Sequence, residues 1–334
     1  MKSPGQIIRL SILSLLAFSI FACSKNDTYT PGGSGTNGGL SPVTVVKDIQ
    51  YGSNKDMSGN VEALKLDVYL PPNAGTQKFP LVFFVHGGGF IAGDKESAAT
   101  EMTTFAQSGY VGVSIDYRLD ENIDDASDAC SIDSNTEHES VYMAVQDAKA
   151  ALRFLVANAD KYNIDTSLIF LNGNSAGAVT VLHAYYVTQE DFNQTSPGIE
   201  AKMGGIDNAD NNLTNTYAVT GIAANSGCLP DPNDITSSNA VPTIFFAGGQ
   251  DSVIPIDQGH AYYCPATIYI YGSNTLYKRM QQLGEPAVLH VDPAGGHGPY
   301  TDDFLSQNEM CFFNSVMSKK TETGSFSAQA SSCQ

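Results

Sequence analysis

Gly173-Asn174-Ser175-Ala176-Gly177 sets a serine between two glycines, directly after an apolar run at residues 168–171 and directly before a helical run at residues 178–187. No other G-x-S-x-G occurs in the chain. A serine hydroxyl is a poor nucleophile near neutral pH, so it does chemistry only where a strained strand-to-helix turn exposes it and a base takes its proton. Glycines on both sides suit such a turn, because a side chain there would collide with the neighbouring strand and helix. The pattern is short enough to recur by chance, and it gains weight only from partners elsewhere in the chain.

His86-Gly87-Gly88-Gly89-Phe90 follows another strongly apolar strand, residues 81–85, some way upstream. Acyl transfer builds negative charge on a carbonyl oxygen, and glycines let backbone amides approach it; losing one such donor costs about 3 kcal/mol in comparable sites. The amides of Gly88 and Gly89, with that of Ala176, are the expected oxyanion donors. The base must come from six histidines. His297 lies in Ala294-Gly295-Gly296-His297-Gly298, a flexible loop beyond the last predicted strand, where a side chain can swing over the carboxyl edge of a sheet. His290 falls within that strand and His183 within a helix, which suits packing or surface roles, and His86 shapes the oxyanion loop. The orienting acid is Asp251, placed by Gly248-Gly249-Gln250 just past the buried strand at residues 243–247. Asp257 is the nearest competitor, but Val253-Ile254-Pro255 carries the chain away from the strand end.

These residues need a scaffold, and the hydropathy pattern provides one. Short β-rich runs alternate with helical ones, the signature of a mainly parallel sheet flanked by helices. Strands are expected near residues 43–49, 64–70, 81–85, 111–116, 168–172, 217–224, 243–247 and 288–292, giving an α/β fold with an eight-stranded, mainly parallel sheet. Residues 64–70 alternate, as half-exposed antiparallel edge strands do, whereas residues 81–85 are continuously apolar, as a central strand should be. Residues 139–159 carry apolar side chains at three- and four-residue spacing and read as a helix packed on the sheet. The polar stretch 189–215 is the one sizeable insertion; its Asp207-Asn208-Ala209-Asp210-Asn211-Asn212 offers oxygen ligands but lacks the EF-hand pattern, and solvated loops look the same. No metal or other cofactor is expected, and no cysteine lies in a zinc-like cluster.

The HGGGF and GNSAG segments, the acid at the end of the strand before residue 251 and the histidine loop together resemble the carboxylesterase and hormone-sensitive-lipase-like branch of the α/β-hydrolase superfamily, over residues 43–318. The chain order Ser, Asp, His is the order of that fold. Asp116-Tyr117-Arg118-Leu119 also resembles an element of that branch, whose arginine supports the fold. Asn174 stands where relatives usually carry Asp or Glu, Ala178 where glycine is frequent, and the Asp251 to His297 spacing is longer than usual, through residues 264–273. The resemblance implies a serine esterase acting through an acyl-enzyme, with Phe90 and Tyr117 shaping a small acyl pocket.

At the amino end, Lys2 and Arg9 precede and punctuate an apolar run, residues 10–21, of signal-peptide length and too short to span a bilayer. It ends in Ile20-Phe21-Ala22-Cys23, which resembles a bacterial lipobox. The expected organisation is a signal peptide at 1–22, a lipidated Cys23 with a flexible tether to residue 40, a catalytic domain at 41–318 and a disordered tail at 319–334. Export and a lipid anchor would put the protein on the bacterial cell envelope, the outer membrane facing periplasm or exterior. Removing residues 1–22 takes away Lys2 and Arg9 and no acid, moving the formal charge from −18 to about −20, which repels nucleic acid and anionic membranes. The remaining Cys130, Cys228, Cys264, Cys311 and Cys333 allow one or two bridges in an oxidising compartment and leave a thiol over.

The expected partner is therefore a small-molecule or polysaccharide ester, with membrane contact only through the anchor. Short acyl groups are favoured because the insertion lacks the large apolar side chains of a lipid-covering lid. Acetyl or feruloyl esters of polysaccharides fit a surface-anchored enzyme; tryptophan is absent, but 16 tyrosines can stack on sugars or phenolic rings. A serine peptidase on the same fold and a catalytically inactive binding protein of hydrolase shape are the alternatives.

Overall fold

The computed structural model describes residues 42–120 and 130–333; the expected signal peptide, Cys23 and the tether lie outside the described residues. The strands are β1 (Thr44–Lys55), β2 (Val61–Leu70), β3 (Phe79–Val85), β4 (Val111–Ile115), β5 (Ile164–Asn174), β6 (Gly221–Asn225), β7 (Cys228–Leu229), β8 (Thr243–Gly248), β9 (Gln258–His260), β10 (Tyr269–Gly272), β11 (Ala287–Asp292) and β12 (Gly324–Ser327). The α-helices are α1 (Ala99–Gln107), α2 (Ser134–Ala157), α3 (Ala176–Tyr186), α4 (Gln189–Thr195), α5 (Ile199–Met203), α6 (Ser273–Leu283) and α7 (Asp302–Met317).

Nine strands form the main sheet in the order β1-β2-β4-β3-β5-β6-β8-β11-β12. Pairing is antiparallel from β1 through β2 to β4 and parallel across the rest, which bears out the expected mainly parallel sheet with antiparallel edge material. All eight expected strands are present. Along β3 the side chains of Leu81, Phe83 and Val85 enter one core layer, beneath α2 and α3, while Val82 and Phe84 enter the other, with Phe105 of α1 and Phe312 and Phe313 of α7. A strand buried on both faces has no polar alternation, and this is why residues 81–85 are apolar throughout. Each fully buried Phe or Leu contributes roughly 1.5–3 kcal/mol to this packing.

The ninth strand corrects the expectation of a disordered tail. Residues Gly324–Ser327 pair in parallel with β11, Phe326 stacks on His290 at 5.2 Å, and Cys333 is disulfide-bonded to Cys311 of α7. Four residues with one large apolar side chain carry no readable period, so only these tertiary contacts fix the segment. The polar insertion also holds more structure than expected, namely α4, capped by a Thr188/Asp191 box, and α5.

Arg118 is buried and anchors that insertion to the sheet edge. Its guanidinium donates to Asp147 at 2.6 and 2.9 Å, to the Lys55 carbonyl at 2.8 Å and to Gln146 at 2.9 Å, with Asp210 at 3.4 Å. Burial and the neighbouring Asp147 push the Asp210 carboxyl up to about 8. Asp207 instead pairs with Lys149, and Asn211 bonds the carbonyls of Tyr51 and Ala150, so this Asp/Asn run is used to dock the insertion.

A second buried group lies behind the serine turn. Asn172 of β5 donates to Glu101 of α1 and to Glu309 of α7, each at 2.8 Å. Burial pushes Glu101 up to about 7, and burial together with repulsion from Glu101 raises Glu309 well above the usual carboxylate range. Both carboxyls therefore keep protons in the fold that they lose in the unfolded chain. Their contribution is fully present below the ordinary carboxylate pKa; that of Glu101 is lost as pH rises through about 7, and that of Glu309 at higher pH. Urea midpoints measured at about pH 5 and about pH 8 should fall with pH in the wild type and fall less in Glu309→Gln; equal declines in both would contradict this account.

Candidate functional site

β5 ends at Asn174 and α3 begins at Ala176, so Ser175 is the whole turn between them, with φ 52° and ψ −120°. A non-glycine residue in that region costs on the order of 1–3 kcal/mol and persists only if its surroundings allow nothing else. Two glycines make the turn possible. A Cβ on Gly177 would run into the carbonyl of Val85 at the end of β3, and a Cβ on Gly173 would run into the backbone of Gly177. The turn is held by the Ser175 amide donating to the Asn225 carbonyl at 2.8 Å and by the Val179 amide donating to the Ser175 carbonyl at 2.9 Å.

The structure brings together the three residues expected to act with one another. His297, on the loop between β11 and α7, places Nε2 2.6 Å from Ser175 Oγ and Nδ1 2.8 Å from Asp251 Oδ2. The Asp251 side chain is 2% exposed, and its other oxygen accepts from the amides of Val253 at 2.7 Å and Ile254 at 3.0 Å. Both carboxyl oxygens are thus committed, which leaves His297 Nδ1–H donating to Asp251 and Nε2 accepting from the serine hydroxyl. The two loops that carry acid and base are tied to each other, Gly249 N to Asp292 O at 2.7 Å and Gln250 N to Gly295 O at 2.9 Å. Asp257 lies elsewhere: its side chain is 56% exposed and faces Lys278 and Asn274. His290 is buried against Phe246 and Phe326, and His183 bonds the Val179 carbonyl within α3.

The HGGGF loop folds back beside the serine with Gly88 at φ 117°, Gly89 at φ 63° and Phe90 at φ 67°. Its hydrogen bonds run through the carbonyls of Gly88 and Phe90, which accept from Ile91, Ala92 and Asp120. Among the described residues the amides of Gly88, Gly89 and Ala176 have no backbone acceptor, and that of Ala176 is in the open first turn of a helix. Tyr117 departs from its expected place. It is buried, stacks on His86 at 4.3 Å and donates its hydroxyl to the His86 carbonyl at 3.1 Å, so it props the glycine loop from behind instead of lining a pocket. Phe90 is at the pocket as expected.

A cavity of about 50 Å³ opens at Ser175, bounded by Gly89, Phe90 and Ala176. The rest of its wall is mostly apolar, with Val141 of α2, Val179 of α3, Val253, Ile254, Ile268 and Ile270. The insertion at 189–215 contributes nothing to this lining among the described residues, so any limit on acyl length is set here and not by that insertion. The long Asp251 to His297 connection builds the wall instead: β9 and β10 pair with each other, β10 pairs with β7, and Tyr262 between β9 and β10 sits beside Gly89 with φ 54°.

Most of the wall escaped the sequence reading, Glu137 and Tyr262 included. Glu137 belongs to the first turn of α2, which begins five residues earlier than the apolar spacing indicates; the missed signal is Asp133, whose carboxylate caps the helix by accepting from Asn135 and Thr136. A disulfide between Cys130 and Cys264 fastens this end of α2 to the Tyr262 segment. Burial, with repulsion from Asp133, pushes the Glu137 carboxyl up to about 7 against the opposing bond from the Ile268 amide. Cys228 is the free thiol among the described cysteines, buried in the same wall. Among the described residues no group of three His, Cys, Asp or Glu side chains is placed to hold a metal ion.

Comparison with known proteins agrees with this geometry. The BD-FAE family model matches residues 66–224, the stretch holding the glycine loop and the serine turn. The chain is 25% identical over 197 residues to juvenile hormone esterase of Tribolium castaneum, covering 57% of this chain and 32% of that protein. It is 22% identical over 263 residues to esterase LipC of Mycobacterium tuberculosis, covering 72% of this chain and 58% of that one. The chain thus spans less than two thirds of the length of either relative. Among solved structures, a truncated carbohydrate esterase from gut microbiota superposes with a TM-score of 0.56 at 20% identity, over 82% of this chain and 96% of that one. Thermogutta terrifontis esterase 2 phosphorylated by paraoxon gives a TM-score of 0.54 at 17% identity, over 84% and 96%. With the sheet order, the strand-turn-helix at Ser175 and these likenesses together, the chain has the α/β-hydrolase fold.

Proposed function

We propose that the protein is a serine carboxylesterase that hydrolyses short-acyl esters through an acyl-enzyme. The observation that carries this reading is the unbroken chain of contacts from Asp251 through His297 to Ser175, at 2.8 and 2.6 Å, beside unengaged backbone amides. Ser175 Oγ attacks the ester carbonyl while its proton passes to His297 Nε2; Asp251 orients the ring and stabilises the imidazolium. The amides of Gly88, Gly89 and Ala176 receive the oxyanion. His297 then returns the proton to the departing alcohol, and water, deprotonated by the same nitrogen, releases the acid. The names of the curated relatives support ester over amide cleavage. The short-acyl preference is supported by the small volume of the cavity, about 50 Å³. Acetyl groups on polysaccharides are the natural substrates we infer.

Export also belongs to this proposal, with signal peptide 1–22, an anchor on Cys23 and a tether to residue 40. The disulfides Cys130–Cys264 and Cys311–Cys333 support it, since such bonds persist in oxidising compartments outside the cytosol.

Nitrophenyl esters from acetyl to about ten carbons, assayed below their aggregation limit, should give the highest kcat/KM at four carbons or fewer, since each further methylene gains about 0.8 kcal/mol only where a wall receives it. Ser175→Ala should retain less than about a hundredth of the wild-type rate on every ester while keeping its fold. A specificity constant still rising with the longest chains would contradict the cavity reading, and an active Ser175→Ala would contradict the mechanism. For the anchor, mass spectrometry of the mature protein from a bacterium that lipidates its exported proteins should find a diacylglyceryl-modified Cys23 at the N-terminus; an unmodified terminus would contradict it.

A further inference from the structure

The cavity at Ser175 is lined mostly by aliphatic and aromatic side chains; besides Ser175, its polar lining residues are Ser140, Cys228, Tyr262 and Glu137, the one ionised at neutral pH in water being Glu137 of α2. Proton transfer to and from Ser175 uses His297 and Asp251, so the mechanism leaves Glu137 without a task. Glu137 is half-buried, and a leucine would complete the wall without taking an acid partly out of water, which is costly without full hydrogen bonding. One oxygen is partnered, accepting from the Ile268 amide at 2.7 Å. The other makes no hydrogen bond among the described residues, while the nearby Ser140 hydroxyl is already committed to Asp120 at 2.7 Å. The carboxyl is also held in place. The first turn of α2 is capped by Asp133 and fastened through Cys130–Cys264 to the segment that carries Tyr262 and Ile268.

Resting on the esterase reading of this site, we propose that Glu137 is its specificity determinant: its unpartnered oxygen accepts a hydrogen bond from a hydroxyl on the group that enters the cavity, so the substrate class is hydroxyl-bearing esters. A hydroxyl suits the surroundings better than an ammonium, because the aliphatic wall offers a buried cation no other partner. An anionic group is disfavoured by the same carboxyl. The raised pKa of Glu137, about 7 through burial, agrees with a site whose empty state leaves the acid poorly solvated. A site built to bond a hydroxyl discriminates strongly against the analogue that lacks it, because the buried group is then left unpaired.

The test uses two matched pairs, so that the hydroxyl can be sought on either side of the ester. On the acyl side, 4-nitrophenyl 3-hydroxybutyrate is compared with 4-nitrophenyl butyrate; on the alcohol side, butane-1,4-diol monoacetate is compared with butyl acetate. The readout is the ratio of kcat/KM within each pair for wild type, Glu137→Gln and Glu137→Leu, a ratio from which the fraction of folded enzyme cancels. In one pair the wild type should favour the hydroxyl-bearing ester, Glu137→Leu should lower the ratio about tenfold or more, and Glu137→Gln, which keeps an acceptor, should fall between. Ratios that are the same in all three proteins, in both pairs, would overturn the assignment while leaving the esterase reading intact. A wild type that cleaves none of the four esters would overturn both.

Discussion

The backbone at Ser175 approaches β3 so closely that no side chain fits between them. Gly177 faces the Val85 carbonyl, Gly173 faces Gly177, and Gly87 faces the carbonyl of Asn174. These contacts drive Ser175 into its positive φ, which lifts the hydroxyl off the sheet and starts α3 at once, so that the Ala176 amide is left open beside it. The same closeness puts the glycine loop after β3 next to the serine, because β3 and β5 are parallel neighbours paired from Leu81 with Ile169 to Val85 with Gly173. The proposed nucleophile and oxyanion donors are therefore set by one steric constraint. The strain is balanced from below, where Asn172 ties β5 to α1 and α7, and from the side, where Asn225 of β6 accepts from the Ser175 amide.

The remaining site groups are placed by sheet order. β5, β6, β8 and β11 are parallel, so their carboxyl ends lie along one edge, and the loops after β8 and β11 deliver Asp251 and His297 there. The carboxyls around this edge differ in how completely their oxygens are bonded. Asp251 has three hydrogen bonds from two backbone amides and an imidazole, and is fixed as an orienting group. Glu137 has one, and keeps an oxygen free at the cavity. That difference separates a residue that holds the base in place from one that reads what enters.

Much of this was legible in the sequence because each proposed reacting residue lies beyond a largely apolar run, and such runs mark central parallel strands. Ser175, Asp251, His297 and the glycine loop each follow one. What was not legible depends on long-range contacts. Tyr117 follows a strand as well, but only the stacking partner His86 decides that it points behind the loop. The cavity wall arises from short strands, β9 and β10, and from a pairing of Cys130 with Cys264 across 134 residues, neither of which has a local pattern. Glu137 was overlooked because its helix was traced from apolar spacing, which begins only after the polar first turn. The β12 segment gives the same lesson, with His290, Cys311 and β11 supplying the structure that its own residues do not specify.

The proposed chemistry requires Ser175 to be an activated nucleophile. Incubating the purified protein with a fluorophosphonate and mapping the adduct by peptide mass spectrometry tests this directly. The predicted result is stoichiometric modification at Ser175 that is lost when His297 is replaced by alanine. Modification at another serine, or none at Ser175 in the folded wild-type protein, would contradict it.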